Sequence, residues 1–256
     1  MSVFKPDTLD GRVALVTGGG TGIGREIART LGAHGARVVI ASRKLEVVEA
    51  TRDELAAQDI ECLALACDVR HEDQVEALID SILVQWGSVD IVVNNAAGNF
   101  PAAIDQLSYN GFRTIVDIDL QGTYNVSKAA YTGCLKEHGG VVINIAAPFE
   151  HWGVSYQAHV AAAKTGVISL TRSCAVEWAN LGIRVNAVAP GYIEETEGVD
   201  RMAEVGDLNA RGLKGSKSDI ANAVLFLASD AGRFISGECI RVDGSACVDM
   251  FKMPVQ

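Results

Sequence analysis

The sequence predicts an α/β domain, doubly wound, with one parallel sheet of seven strands and helices on both faces. Two observations carry that prediction. Short apolar runs alternate with longer amphipathic stretches from end to end of the 256 residues, and strands separated by helices pair in parallel. The first apolar run, Val13-Ala14-Leu15-Val16, stops at Thr17-Gly18-Gly19-Gly20-Thr21-Gly22-Ile23-Gly24, and a helical spacing of Ile23, Ile27 and Leu31 follows. That reads as strand, tight turn, helix. No linker, repeat or low-complexity segment interrupts the alternation, so residues 1–256 read as a single domain.

Taken in order, the first strand covers Arg12–Val16, and its helix Gly22–His34 is ended by Gly35. Arg37–Ala41 and Ile60–Ala66 are the next strands, each followed by a helix, Leu45–Ala57 and Asp73–Trp86. Val89–Val93 is the fourth strand, followed by a long helical stretch from Ser108 to Glu137. Val141–Ile145 leads into a second long helix, Tyr156–Asn180. Arg184–Val188, a helix over Lys217–Ala228 and a last strand Glu238–Val242 complete the pattern. In such a sheet the ligand crevice lies beyond the C-terminal strand ends.

A net charge of −10 argues against a nucleic-acid partner. No run approaches the length of a membrane span, the N-terminus lacks a signal-peptide pattern, and Met253-Pro254-Val255-Gln256 is no recognisable peroxisomal address. The expectation is a cytoplasmic protein with no membrane partner. Six cysteines (62, 67, 134, 174, 239, 247) form no C-x-x-C pair, and buried free thiols are expected rather than a metal set or disulfides.

The glycine turn implies chemistry. Glycines let a ligand approach the main chain closely, and a helix N-terminus beyond them offers free N–H groups and a positive dipole end. The natural occupant is the pyrophosphate of a nucleotide. At the end of the second strand, Ala41-Ser42-Arg43-Lys44 puts two cations where NAD-binding sheets place an acid. A guanidinium pairs bidentately with phosphate, so the pair favours NADP over NAD; the alternative is a solvated basic pair opening a helix.

The turn T-G-x-x-x-G-x-G resembles that of the short-chain dehydrogenase/reductase family, a Rossmann-fold family. Cys67-Asp68-Val69, Asn94-Asn95-Ala96-Ala97-Gly98 and Arg184-Val185-Asn186-Ala187-Val188-Ala189-Pro190-Gly191 resemble three further segments of that family and extend the likeness over most of the chain. The resemblance implies NADP(H) contacts at Gly18, Gly20, Thr21, Gly22, Ile23, Gly24, Arg43, Lys44, Asp68 (on adenine), Asn95, Lys164, Pro190, Gly191, Ile193 and Thr196.

Carbonyl-reducing members carry Tyr-x-x-x-Lys on the helix after the fifth strand, both side chains on one face. Lys164 matches the lysine, but Val160 stands at the tyrosine position, Ala147 at that of the catalytic serine and Asp119 at that of the asparagine. Three local stretches instead resemble 2,4-dienoyl-CoA reductases, the peroxisomal type most closely: Asn95-Ala96-Ala97-Gly98-Asn99-Phe100-Pro101, Gln157-Ala158-His159 ahead of Val160, and Thr196-Glu197-Gly198. The mitochondrial type's tyrosine position holds Phe149 here.

That reaction explains the missing phenol. Hydride goes to C5 of a dienoyl thioester, charge runs to the thioester oxygen, and C2 takes the proton, far from the hydride acceptor. The resemblance implies catalytic roles for Asn99 as donor to the thioester oxygen, Asp119 as acid or orienter of a water, and Lys164 on the nicotinamide ribose. Asn99 could equally cap the strand end in an Asx turn, and Asp119 could be a structural group inside its helix. His159 follows the family pattern or simply packs; Tyr156 lines the pocket.

Phe100, Ser108, Tyr109 and Asn110 resemble acyl-pocket positions, although Ser108 could equally be helix-entry chemistry. Arg201 could meet the phosphates of the acyl-CoA, or form a surface salt bridge. Residues 194–216, rich in glycine and charge, are expected to cover the substrate. The resemblance also implies a homotetramer with the two long helices at its interfaces. Two other functions stay open: a carbonyl or hydroxyl oxidoreductase using Tyr156 or a water as acid, and a catalytically silent NADP-binding scaffold.

Overall fold

The computed structural model describes residues 3–151, 153–196 and 214–245. All seven expected strands form one parallel sheet, in the order β3-β2-β1-β4-β5-β6-β7. They are β1 Val13–Thr17, β2 Arg37–Ser42, β3 Cys62–Ala66, β4 Ile91–Asn94, β5 Gly140–Ile145, β6 Ile183–Pro190 and β7 Cys239–Val242. Every residue of β1 and β4 is buried, as expected of strands covered on both faces. Burying a Val or Leu side chain contributes roughly 1.5–3 kcal/mol, and Val13, Leu15 and Val16 are fully buried. The strand order reverses between β1 and β4, so a crevice opens beyond their C-terminal ends.

The helices are α1 Gly22–Gly32, α2 Leu45–Ala56, α3 Glu72–Trp86, α7 Ala158–Trp178 and α8 Lys217–Ala228, with the long stretch after β4 between them. That stretch runs from Tyr109 to His138 without a break, but not as one regular helix. It consists of α4 Tyr109–Val116, a π turn Asp117–Gln121, α5 Gly122–Ala130, a second π turn Tyr131–Leu135 and the short α6 Lys136–His138. A π turn inserts an extra residue and rotates the side chains that follow; the first one carries Asp119.

Element ends moved by one or two residues from the expected bounds, each for a local reason. The third strand begins at Cys62 rather than Ile60, because Asp59 turns the chain with φ 58°. The second long helix begins at Ala158 rather than Tyr156, whose φ of 62° is left-handed and incompatible with a right-handed helix.

Behind the crevice a buried polar chain ties the sheet to both long helices. Asn94 Nδ2 donates to Ser127 Oγ (2.9 Å) and to Asn144 Oδ1 (2.8 Å), and Asn144 Nδ2 donates to Thr171 Oγ1 (2.8 Å). Such a network fixes α5 and α7 against β4 and β5 in one arrangement. The five described cysteines are all free. Burial pushes the Cys62 thiol up to about 12 and those of Cys67, Cys174 and Cys239 up to about 11.

Candidate active site

The glycine turn lies at the C-terminal end of β1. Gly18 (φ 64°) and Gly22 (φ 54°) adopt left-handed conformations that disfavour any side chain. A Cβ on Gly24 would stand 2.3 Å from the Gly18 carbonyl oxygen and 2.4 Å from Asn95 Nδ2, so this glycine permits α1 to start against the turn. Asn95 braces the same turn: its Nδ2 donates to the carbonyls of Thr17 (2.9 Å) and Gly18 (3.2 Å). The amide of Asn95 is thus engaged with the protein's own backbone. Thr21 occupies the N-cap of α1 without a side-chain cap, which leaves the first-turn N–H groups facing the crevice unclaimed by any side chain. Gly20 packs against Val47 of α2, and its carbonyl accepts from Thr51 Oγ1 (2.9 Å).

Beside this turn a cavity is lined by Gly18, Ala41, Ser42, Arg43, Cys67, Asp68, Val69, Ala96, Ala97 and Ile118. Arg43 therefore stands where the sequence places it. It is exposed, and among the described residues it pairs with no carboxylate. Lys44 is exposed at the N-cap of α2, outside that lining. Asp68 is held by Arg70, whose Nε lies 3.0 Å from Oδ1 and 3.1 Å from Oδ2 and whose Nη2 also donates to Oδ2 (2.5 Å). These bonds hold the Asp68 carboxyl below the ordinary carboxylate range. Sequence reasoning missed Arg70; the signal was an acid and a guanidinium two residues apart at a strand end.

A nucleotide fits these residues on the structure's own terms: left-handed glycines and an uncapped helix N-terminus adjoin a cavity lined by a cation that pairs with no carboxylate among the described residues.

The reactive groups gather one strand over, beyond β4. Asp119 is fully buried. Its Oδ1 accepts from the Gly98 N–H (2.7 Å), and its Oδ2 faces Lys164 Nζ at 3.4 Å. Lys164, from the second turn of α7, is buried and donates to the Ile145 carbonyl (2.8 Å). The structure thus joins Asp119 and Lys164, two residues predicted from separate helices, into one buried ion pair. Asn99 follows Gly98 in the same loop and is half-buried. Val160, four residues before Lys164, is 5% exposed and packs in an apolar cluster with Ile115 and Ala163, edged by Phe100, Leu120 and Phe149. The Phe100 ring lies 4.5 Å from the ring of His159. Asp117 lies outside this cluster, near Arg70.

Other predicted residues are placed elsewhere or spent on local structure. Ser108 caps α4, accepting from the Gly111 N–H (3.0 Å). Tyr109 is 95% exposed and Asn110 is exposed, so the helix entry presents these side chains to solvent. Tyr156 is 57% exposed. β6 ends at Pro190; the Gly191 N–H donates to the Val242 carbonyl (2.9 Å), and a Cβ on Gly191 would lie 2.6 Å from Asp243 Cα. Ile193 is buried, and Thr196 Oγ1 donates to its carbonyl (2.9 Å). Ile193 bridges to Gly215, and Lys217 pairs with Glu195 at 2.9 Å, so the two ends of the 194–216 segment meet. Arg201, Glu197, Gly198 and residues 197–213 as a whole lie outside the described residues.

Comparison with known proteins agrees with this geometry. A family model described as enoyl-(acyl carrier protein) reductase matches residues 18–245. A peroxisomal 2,4-dienoyl-CoA reductase, (3E)-enoyl-CoA-producing, from Danio rerio is 42% identical over 252 residues, covering 95% of this chain and 84% of its own. A probable 2,4-dienoyl-CoA reductase, (2E)-enoyl-CoA-producing, from Bacillus subtilis is 35% identical and covers 92% and 96%. Among solved structures, a citronellol catabolism dehydrogenase from Pseudomonas aeruginosa superposes with a TM-score of 0.88 at 37% identity, covering 96% and 99%.

Proposed function

The chain belongs to the short-chain dehydrogenase/reductase family, and from that footing we propose that it is an NADPH-dependent 2,4-dienoyl-CoA reductase. One observation carries the choice of reaction. The helix face that would hold a phenol for carbonyl chemistry is an apolar wall at Val160, while the buried ion pair of Asp119 and Lys164 stands beside it.

A bound nicotinamide cofactor would supply the hydride for C5 of the dienoyl thioester. Gly18, Gly22, Gly24 and the α1 N-terminus would hold its pyrophosphate, and Arg43 and Asp68, which line the cavity beside that turn, would hold the 2′-phosphate and the adenine. Lys164 binds the nicotinamide ribose and fixes Asp119 across the ion pair. As charge develops on the thioester oxygen, Asn99 donates a hydrogen bond to it. Asp119 either gives C2 a proton from its protonated form or, as the carboxylate opposite Lys164, orients a water whose O–H bond breaks as the C2–H bond forms, and the product is a (3E)-enoyl-CoA. Phe100 and its apolar neighbours wall the acyl chain. The Ile193–Gly215 bridge joins the two ends of the segment proposed as the substrate cover.

The proposal extends to a homotetramer and a cytoplasmic setting. Exposed Phe112 and Tyr124 on the first long helix and Val176 on α7 supply apolar surface for subunit contacts. The free thiols suit a reducing compartment. No helix among the described residues is long and apolar enough to cross a membrane.

Asp119→Ala tests the mechanism. Proton delivery by this carboxylate predicts a kcat at least about 100-fold lower with dienoyl-CoA, with NADPH affinity nearly unchanged, because the group acts only in the reaction. Unchanged turnover would remove Asp119 from the proton path.

A further inference from the structure

Among the described residues that line the nucleotide cavity, Asp68 is the one acid and Arg43 the one base. Arg43 follows β2 and Asp68 follows β3, and these strands are neighbours in the sheet. An anion drawn to Arg43 therefore enters the field of Asp68. The Asp68 side chain is only 14% exposed, and salt screens such a partly buried charge poorly. Its carboxyl is held below the ordinary carboxylate range, so at neutral pH the negative charge is permanent. Left alone, it would oppose a phosphate on the same cavity wall.

Arg70 lies outside that lining, yet it is committed to this carboxylate. Its Nε lies 3.0 Å from Oδ1 and 3.1 Å from Oδ2, and its Nη2 donates to Oδ2 (2.5 Å). The Arg70 main-chain N–H donates to Oδ1 as well (3.1 Å), and the Asp68 N–H donates to Gln74 Oε1 (2.9 Å). A brace for this turn needs no charge, because an asparagine or serine at the same place would accept the Arg70 N–H. The guanidinium fork adds what a brace lacks: it makes the Asp68 side chain part of a neutral pair. Asp117 also acts on Arg70, Asp73 lies on the same side near Cys67, and the exposed His71 has Nε2 4.0 Å from Asp68 Oδ2. Arg70 is thus the cation bonded to the acid that faces the cavity.

Deepening the NADPH reading above, on which it rests, we propose that Arg70 is a positioning residue that sets cofactor choice through Asp68. By pairing with that carboxylate it cancels the one negative charge on the cavity lining. The potential set by Arg43 then favours a dinucleotide that carries a 2′-phosphate over one that carries a hydroxyl there.

The test is titration of the full-length protein with NADPH and with NADH by nucleotide fluorescence. Arg70→Gln is expected to weaken NADPH binding at least about fivefold while NADH binding changes less than about twofold. That difference is expected to shrink as salt is raised. Arg70→Lys, which keeps the charge, is expected to retain most of the preference. The deciding variant combines Arg70→Gln with Asp68→Asn. The pair is then neutral again, and the ratio of the two dissociation constants is expected to return to within about twofold of wild type. Any contact of Asp68 with the adenine is common to both cofactors and cancels in that ratio. If Arg70→Gln does not fold, Arg70→Met takes its place, with the same expectations.

Equal losses for both cofactors would mark Arg70 as a brace of the turn and overturn the inference. A loss specific to NADPH that persists in the double variant would also overturn it, since Arg70 would then act on the phosphate without Asp68. Unchanged binding in Arg70→Gln would do the same. Each of these results leaves the NADPH reading standing, whereas wild-type protein that binds NADH as tightly as NADPH would overturn both.

Discussion

Arg43 follows β2 as an exposed cation on the cavity wall. In the proposed function this guanidinium reads the 2′-phosphate of NADPH, and a charge-assisted hydrogen bond contributes about 1.5–3 kcal/mol. Arg43→Ala is therefore expected to weaken NADPH binding by roughly one to two decades while NADH binding changes little; titration of both cofactors by nucleotide fluorescence checks it. Equal losses would show that Arg43 does not read the phosphate. Asp68 differs in kind, because its carboxylate is already paired with Arg70 and lies at a fixed place in the cavity. A folded carboxyl held below its unfolded value of 3.8 contributes stability that is complete above that value and lost as pH falls through the lower folded one. The pair is therefore intact throughout the neutral range.

At the scale of elements, α7 and the long helix after β4 build the reaction site between them. Val160 sits on the α7 face that also carries Lys164, walled by Ile115, Phe100, Leu120 and Phe149. Val160→Tyr would rebuild a Tyr-x-x-x-Lys pair, but the pocket is closed around a much smaller side chain. Overpacking of this kind costs about 1–3 kcal/mol. The expected outcome is a lower thermal midpoint and reduced dienoyl-CoA turnover, with NADPH affinity nearly unchanged; a gain of ketone reduction would instead mark a damaged carbonyl reductase. The period of the apolar residues made these helices legible, whereas Asp119 and Lys164 were matched only as separate positions and their ion pair is a finding of the structure. The π turn at Asp117–Gln121 was not legible, because one inserted residue hardly disturbs a 3.6-residue pattern in a long helix. Ser108 shows a different limit. A serine before a helix serves a cap or a ligand equally well in sequence, and here the Gly111 N–H claims it. Tyr156 was counted into the helix from its neighbours; its left-handed φ keeps it out, and the helix starts two residues later at Ala158.

At the scale of the whole molecule, the sheet order brings five of the proposed segments to the C-terminal edge of the sheet, and the helices carry Asp119 and Lys164. The glycine turn after β1, Arg43 after β2, Asp68 after β3, the Gly98–Asn99 loop after β4 and Gly191 after β6 all follow the C-terminal ends of parallel strands. The order of these segments along the chain was readable because each strand end carries its own short motif. Residues 194–216 were marked by composition alone, and residues 197–213 lie outside the described residues. The central claim is that this platform reduces a conjugated thioester rather than a carbonyl. The most direct measurement is NADPH oxidation with a 2,4-dienoyl-CoA, an enoyl-CoA and simple ketones, run in deuterated water with the product analysed by mass spectrometry and NMR. The account predicts turnover of the dienoyl-CoA alone, a (3E)-enoyl-CoA product and solvent deuterium at C2. Turnover of ketones alone, or tight NADPH binding with no turnover of any substrate, would contradict it.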